Sequence, residues 1–142
     1  APVAVGAALL WFILGYGLYS AAFGALGALV ARQQEVGMAI APLSYLLWGG
    51  YFVVIFGIND VDALWFRVLS FVPLLSPMLM PTRMVTDTVT PVEVTVAVVL
   101  TVAFAAGLIW LGARVYRAGL TATGTRMHLG PALARAVRAG SD

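Results

Sequence analysis

The stretch RVLSFVPLLSPMLMPTR (Arg67–Arg83) decides the fold, because it is apolar and yet carries Pro73, Pro77 and Pro81 four residues apart. Its fifteen uncharged residues would cover only about 22 Å as a helix, less than the roughly 30 Å of a hydrocarbon core. Each proline in a helix interior also costs about 3 kcal/mol. The stretch therefore predicts two short helices that dip into the bilayer and return, a re-entrant pair.

The two arginines that bound this stretch give the pair its expected position. Arg67 and Arg83 should lie at one water interface, with their long side chains reaching into water. The turn is expected in the Pro-Leu-Leu-Ser-Pro region, where irregular backbone at membrane depth must be buried in protein or line a cavity. A flat loop on the membrane surface is the alternative.

Composition places the whole chain in a membrane. Of its 142 residues, 62% are apolar and 10% are charged, and the mean hydropathy is +0.99. The chain has no cysteine, so disulfides and thiolate metal sites are excluded. It enters an apolar run directly at Ala1, without the charged region of a signal peptide, and is expected to be part of a longer chain.

Three uncharged segments are long enough to cross the bilayer, so we predict an all-α integral membrane protein. The predicted spans are residues 3–31, 36–58 and 94–113, with an external re-entrant segment over 59–91 and a tail over 114–142. The third span begins at a predicted capping box, in which Thr90 is the N-cap, Pro91 the first helical residue and Glu93 the acceptor.

Two features inside the spans carry further expectations. Pro42 predicts a kink in the second span. A stripe of small residues in the first span is expected to pack against protein; its members are Gly17, Ser20, Gly24, Gly27 and Ala28. Trp11, Trp65 and Trp110 are expected to anchor the chain at the membrane interfaces.

Arginine placement predicts the orientation, because basic residues are retained on the cytoplasmic side. Arginines follow the third span at positions 114, 117, 126, 135 and 138, so the tail is predicted to be cytoplasmic. The RQQE turn (Arg32–Glu35) then lies inside, and the segment 59–91 lies outside.

No catalytic, metal or cofactor site is predicted. A phosphate-binding loop of the form GxxxxGK[ST] requires lysine, which the chain lacks. His128 has no acidic neighbour at ligand spacing. No basic stripe with interleaved aromatic residues suggests nucleic acid, and the predicted spans hold no ionisable residue of the kind an ion-coupled carrier or intramembrane enzyme uses.

The order of several segments resembles the C-terminal half of ABC-2 type transporter permeases, especially their sodium-extrusion and multidrug-exporter-like branch. These segments are GALGALVARQQEVGMAIAPLSYLL, RVLSFVPLLSPMLMPTRM, the PVEV that opens the last span, and ARVYRAGLTATGTRMHLGPALARAV. By this resemblance, the spans are the fourth to sixth helices of a six-helix permease in the cell membrane. The resemblance also implies a permease dimer and cytoplasmic ATPase subunits that bind ATP and Mg²⁺.

The resemblance favours a permease subunit of an ATP-driven exporter. The inside turn, with Arg32, Gln33, Gln34 and Glu35, is the predicted contact with the ATPase subunit. A non-transporting membrane anchor or assembly subunit is the alternative.

Overall fold

The computed structural model describes the backbone of residues 2–139 and the side chains of residues 2–119. Within that range the chain folds into α-helices only, and the all-α prediction is confirmed. The helices are α1 (Pro2–Ala28), α2 (Gln33–Gly57), α3 (Leu64–Ser70), α4 (Ser76–Val85) and α5 (Pro91–Ala139). His128 and the arginines at 126, 135 and 138 lie outside the described side chains.

Three of these helices are long and apolar enough to cross a membrane, as the sequence predicts. They are Pro2–Ala28, Gln33–Gly57 and the part of α5 over Pro91–Gly119. Helix α5 does not end at Ala113, where the predicted span ends, but continues to Ala139. The tail therefore extends the last span, because the chain holds no helix-terminating signal around Arg114.

The connection between α1 and α2 lies three residues earlier than the sequence suggests, at residues 29–32. Helix α2 begins at Gln33, so three residues of the predicted RQQE turn form its first helical turn. Glu35 is favourable there because a carboxylate complements the positive end of the helix dipole. Arg32 precedes the helix with extended backbone. Helix α2 then continues through Pro42 to Gly57.

The short helices α3 and α4 hold the best-packed part of the chain. Their residues supply much of the hydrophobic core, including Phe66, Leu79 and Met80 with 0% of their surface exposed. The 18-residue apolar windows of the three long helices, by contrast, are only 11 to 17% buried. The long helices thus pack around α4, α3 packs mainly on α4, and most of the surface of the long helices is left to face lipid or other protein.

The packing of α1 differs from the sequence prediction for its small-residue stripe and, as described below, for Trp11. The small-residue stripe does not pack within the described chain: a Cβ atom added at Gly17, Gly24 or Gly27 would meet nothing within 4 Å. The buried face of α1 instead carries Trp11, Gly15, Leu18 and Ala22.

Trp11 is therefore not an interface anchor, since only 1% of its surface is exposed. Its indole packs with Met80 of α4 and Ala97 of α5, and its Nε1–H points at the Met84 sulfur at 3.2 Å. Nothing in the local sequence distinguishes Trp11 from a belt residue, because the partners that bury it lie far along the chain.

Candidate functional site

The α3–α4 pair enters and leaves the bundle at the same end. At its start, Phe66 packs against Gly57, the last residue of α2. At its far end, Met84 and Asp87 line a recess together with Val3 and Ala7 near the start of α1. Both ends of the pair therefore lie beside terminal turns of the long helices, at the end of α2 and the start of α1. This is the geometry of a re-entrant segment.

The turn between α3 and α4, which we call the tip (residues 71–75), reaches the middle of the bundle. The Tyr19 hydroxyl donates a hydrogen bond of 2.9 Å to the Leu74 carbonyl oxygen. Tyr19 lies seventeen residues after Pro2, or about 26 Å along α1. Leu74 also shares a cavity wall with Phe104, about 20 Å along α5 from Pro91. A depth of 20 to 26 Å is near or beyond the midplane of a helix bundle that spans about 30 Å of hydrocarbon.

Hydrogen bonds satisfy much of the backbone of the tip at this depth, where lipid offers no partner. The amides of Leu75 and Ser76 both donate to the Val72 carbonyl, at 2.9 and 2.7 Å. The Tyr19 hydroxyl binds the Leu74 carbonyl. Pro73 has no N–H to satisfy. A proline-rich turn is therefore suited to this position because it exposes fewer donors.

Glycines in α1 and α2 form the surfaces that receive the pair. A Cβ atom at Gly15 would lie 2.9 Å from Pro77 Cβ, and one at Gly50 would lie 2.8 Å from a Leu75 methyl group. A Cβ atom at Gly57 would lie within the contact radius of the Phe66 ring. Side chains at these three positions would push the pair outward, so glycine permits its close approach.

A carboxylate at the start of α5 binds both arginines of the pair. Glu93 Oε1 accepts a hydrogen bond of 2.7 Å from Arg67 Nε of α3 and one of 3.3 Å from Arg83 Nη2 of α4. Its second oxygen, Oε2, accepts from the Thr90 amide at 2.8 Å. We call Arg67, Arg83 and Glu93 the arginine clamp. One side chain thus connects three helices.

Arg83 is buried in the structure, whereas the sequence predicts that it lies at a water interface. Only 1% of its surface is exposed. Its Nη1 donates to Ser70 Oγ at 3.0 Å and its Nη2 to the Thr88 carbonyl at 2.9 Å, while its buried Nε has no hydrogen-bond partner. The guanidinium stays inside because protein groups replace the water that solvates an arginine at an interface. The Arg67 side chain, by contrast, is 54% exposed.

The end of α4 is shaped so that Arg83 meets Thr88. The Thr88 amide donates to the Arg83 carbonyl at 3.1 Å, and the Asp87 amide points at the Met84 carbonyl at 3.4 Å. This is a Schellman motif, in which the residue after the helix adopts the left-handed conformation. Here that residue is Asp87, with φ of 54°. The motif turns the chain back over the guanidinium and supplies its carbonyl partner.

Two serines join α3 to α4 beneath the clamp. The Ser70 hydroxyl donates to the Arg67 carbonyl at 2.6 Å and accepts from Arg83. The Ser76 hydroxyl donates to the Ser70 carbonyl at 2.5 Å. Both serines have 0% exposure. Sequence reasoning did not single them out; the paired SxxxxxS spacing across a predicted turn inside an apolar stretch is the signal that marks them.

The structure has both hydrogen bonds of a capping box at the start of α5. The Glu93 amide donates to Thr90 Oγ1 at 3.3 Å, in return for the Thr90 amide bond to the carboxylate. The same Glu93 side chain therefore caps α5 and binds the arginines. Sequence reasoning identified the cap but not the ion pairs, because Arg67 is 26 residues away from Glu93.

The predicted ATPase-contact residues lie at the opposite end of the bundle from the clamp. Residues 32–35 are all exposed, in the connection from α1 and the first turn of α2. The three prolines of the predicted re-entrant segment lie at different places: Pro73 in the tip, Pro77 in the first turn of α4 and Pro81 within α4. Among the described side chains, no three His, Asp or Glu groups come close enough to share a metal ion.

A cavity of about 220 Å³ lies directly beyond the tip, in the half of the bundle that the pair does not enter. Its wall is apolar and comes from four elements: Leu74 of the tip, Leu43 of α2, the last turns of α1, and residues 104–115 of α5. The pair therefore fills one half of the space between the long helices and closes the end of a cavity in the other half.

Comparison with known proteins gives two matches. The family model described as "ABC-2 family transporter protein" matches residues 2–114. The chain is also 32% identical, over 113 residues, to a Bacillus subtilis (strain 168) protein named "Uncharacterized protein YhaP". That alignment covers 80% of this chain and 27% of the relative, so the chain spans about a quarter of the relative's length. No solved structure matches the chain.

Proposed function

This chain belongs to the ABC-2 transporter family and is a component of a membrane permease, and from this premise we propose that it works in an ATP-driven exporter. It lines part of the translocation path, while a separate cytoplasmic subunit binds ATP and Mg²⁺ and hydrolyses the nucleotide. The chain itself contributes helix rearrangement rather than bond chemistry.

The re-entrant pair is the observation that carries this proposal. A subunit that only anchors a complex needs spans, but it does not need a helical pair whose tip ends at mid-bundle. The contacts at Gly15 and Gly50 fit the pair closely between α1 and α2. The pair blocks one half of the translocation path. Export requires the pair to move relative to α1.

The two ends of the bundle suit different partners. Residues 32–35 are exposed at the end away from the pair, and Arg114 and Arg117 lie at that end of α5. Because arginines are retained in the cytoplasm, we assign this end to the inside of the cell membrane and the arginine clamp to the outside. The ATPase subunit then binds at residues 32–35. A second permease copy completes the path, in keeping with the largely unburied surfaces of the long helices.

A reversible disulfide between the pair and α1 tests this function. Cysteines at Gly15 and Pro77 lie within reach of each other, since a Cβ atom at Gly15 is close to Pro77 Cβ. The full-length permease and its ATPase would be reconstituted in proteoliposomes, and ATP hydrolysis and the efflux of sodium and ethidium would be measured. We expect oxidation to abolish permease-dependent ATP hydrolysis and efflux, and reduction to restore both to the level of the same variant before oxidation.

The matched control places cysteines at Gly17 and Pro77. A Cβ atom at Gly17 meets nothing within 4 Å, so this pair should not form the bridge, and oxidation should leave activity unchanged. ATP hydrolysis that does not depend on the permease, or that is unaffected by a verified Gly15–Pro77 bridge, would favour an anchoring role.

A further inference from the structure

We propose that the cavity beyond the tip binds one acyl chain of an anionic membrane lipid, whose headgroup lies at the end of the bundle away from the re-entrant pair. The wall of the cavity consists of aliphatic side chains, glycine and one phenylalanine. Such a wall offers hydrocarbon good contacts and offers polar groups no partner. The volume of about 220 Å³ exceeds the roughly 150 Å³ of an apolar cavity that stays dry and accepts benzene.

The length of the cavity fits one leaflet. Its wall on α5 extends from Phe104 to Val115, eleven residues or about 16 Å. Half of a hydrocarbon core about 30 Å thick is about 15 Å. A lipid chain that enters at Val115 therefore ends against Leu74 of the tip, near the middle of the bundle.

The cavity adjoins a second recess that suits a headgroup. Leu29 and Val115 line both spaces, so the two lie side by side at this end of the bundle. The second recess is more polar and also includes residues 27–31, Tyr116 and Gly119. A lipid has the same division, with an apolar chain next to a polar head.

Charge at this end favours an anionic headgroup. Arg32 directly follows the residues that line the recess, and Arg114 and Arg117 lie within two residues of Val115 along α5. Within the described side chains, Glu35 is the one acidic residue at this end. Arginines near a membrane surface attract anionic lipids.

The site also connects the lipid to the tip. Leu74 forms the end wall of the cavity with its side chain and holds the Tyr19 hydroxyl with its carbonyl group. A bound acyl chain therefore packs against the side of the tip that faces the cavity. This contact depends on the fold and not on ATP, so binding is measurable without the ATPase subunit or any transport assay.

Photo-crosslinking tests the proposal on the full-length permease in phosphatidylcholine nanodiscs. The probes are phosphatidylglycerol and phosphatidylcholine, each with a diazirine at the end of one acyl chain, and mass spectrometry locates the adducts. We expect phosphatidylglycerol adducts at Leu74, Phe104 or Leu108, about fivefold more than with phosphatidylcholine, and Arg32→Gln should reduce this preference toward one.

Two tryptophan variants separate the cavity from the general lipid surface. Leu29→Trp fills the junction of the two recesses at a position with 65% exposure, so it should leave the fold intact and reduce the adducts about fivefold or more. Leu9→Trp, at a position on α1 with 57% exposure, should leave them unchanged. Equal labelling in Leu29→Trp, or adducts confined to outward-facing residues, would overturn the site; equal labelling by the two headgroups would overturn its anionic selectivity.

Discussion

The guanidinium of Arg83 and the carboxylate of Glu93 form an ion pair of 3.3 Å, although Arg83 has only 1% of its surface exposed. A buried charge of this kind is stable only with its partner, because removing the partner leaves the remaining ion without solvent or counter-charge. The re-entrant pair is therefore attached to α5 by an interaction that tolerates little change.

Glu93→Gln should lower the stability of the folded chain by about 3 kcal/mol, since it leaves the Arg83 charge unpaired. Glutamine also serves in a capping box, so the start of α5 keeps its cap. The loss of stability then reports the missing carboxylate charge and not a missing cap. Thermal unfolding of the purified permease would measure this effect. Arg67→Gln is the control, with a cost below about 1 kcal/mol because the Arg67 side chain is 54% exposed. Equal losses of stability in the two variants would mean that the burial of Arg83 does not strengthen its dependence on Glu93.

Gly15→Ala should destabilise the packing of the pair by about 1 to 3 kcal/mol, because the new methyl group would meet the rigid Pro77 ring at 2.9 Å. Gly17→Ala adds the same methyl group to the same helix, where nothing lies within 4 Å. Alanine favours the helix, so Gly17→Ala should be neutral or stabilising. Thermal unfolding of both variants measures the difference, and an equal response would rule out close packing at Gly15.

Tyr19→Phe should cost about 1 to 3 kcal/mol, because the Leu74 carbonyl loses its hydrogen bond at a depth where lipid offers no substitute. Amide exchange at Leu75 and Ser76 should accelerate as the tip loosens. Tyr16→Phe, at a position on α1 with 71% exposure, provides the comparison. Exchange at the tip that does not differ between the two variants would mean that the hydroxyl does not hold it.

Labelling with an impermeant thiol reagent should reach both ends of the pair from the same side of the membrane. Single cysteines at the exposed positions Asp62 and Thr86 flank the pair, and Gln34 marks the other end of the bundle. In intact cells we expect modification at Asp62 and Thr86, and at Gln34 only after the membrane is opened. Opposite behaviour of Asp62 and Thr86 would contradict re-entry.

Arg32→Ala combined with Glu35→Ala should weaken ATPase association by about thirtyfold, because each exposed side chain contributes on the order of 1 kcal/mol to a polar contact. Co-purification and permease-stimulated ATP hydrolysis would record the change. Asp60→Ala with Asp62→Ala alters the same number of charges at the other end of the bundle and should have no effect. An unchanged association in the first variant would place the main contact elsewhere.

The sequence predicts the long helices and the short pair because both follow from local properties. Uncharged length identifies the spans, and the four-residue spacing of Pro73, Pro77 and Pro81 excludes a further span. The boundaries at Gln33 and beyond Ala113 differ because helices continue into polar segments that hydropathy assigns to turns and tails.

The arrangement of the candidate site depends on contacts between distant segments, which a single sequence does not reveal. Glu93 is recognisable as a cap, yet its role toward Arg67 and Arg83 exists only once α3, α4 and α5 meet. Likewise, Gly15 receives Pro77, whereas the more regular small-residue stripe through Gly17 and Gly24 remains open. Periodicity shows which residues share a helix face, but not which face is covered.

The packing of α4 against the long helices also sets an order of assembly during biosynthesis. The pair is synthesised before α5, yet its buried arginine has no counter-charge until Glu93 emerges, and its core residue Met80 packs with Ala97 of that last helix. The pair therefore cannot complete its packing until α5 has been inserted. Insertion of the last span is thus the step that commits the nascent chain to its final packing.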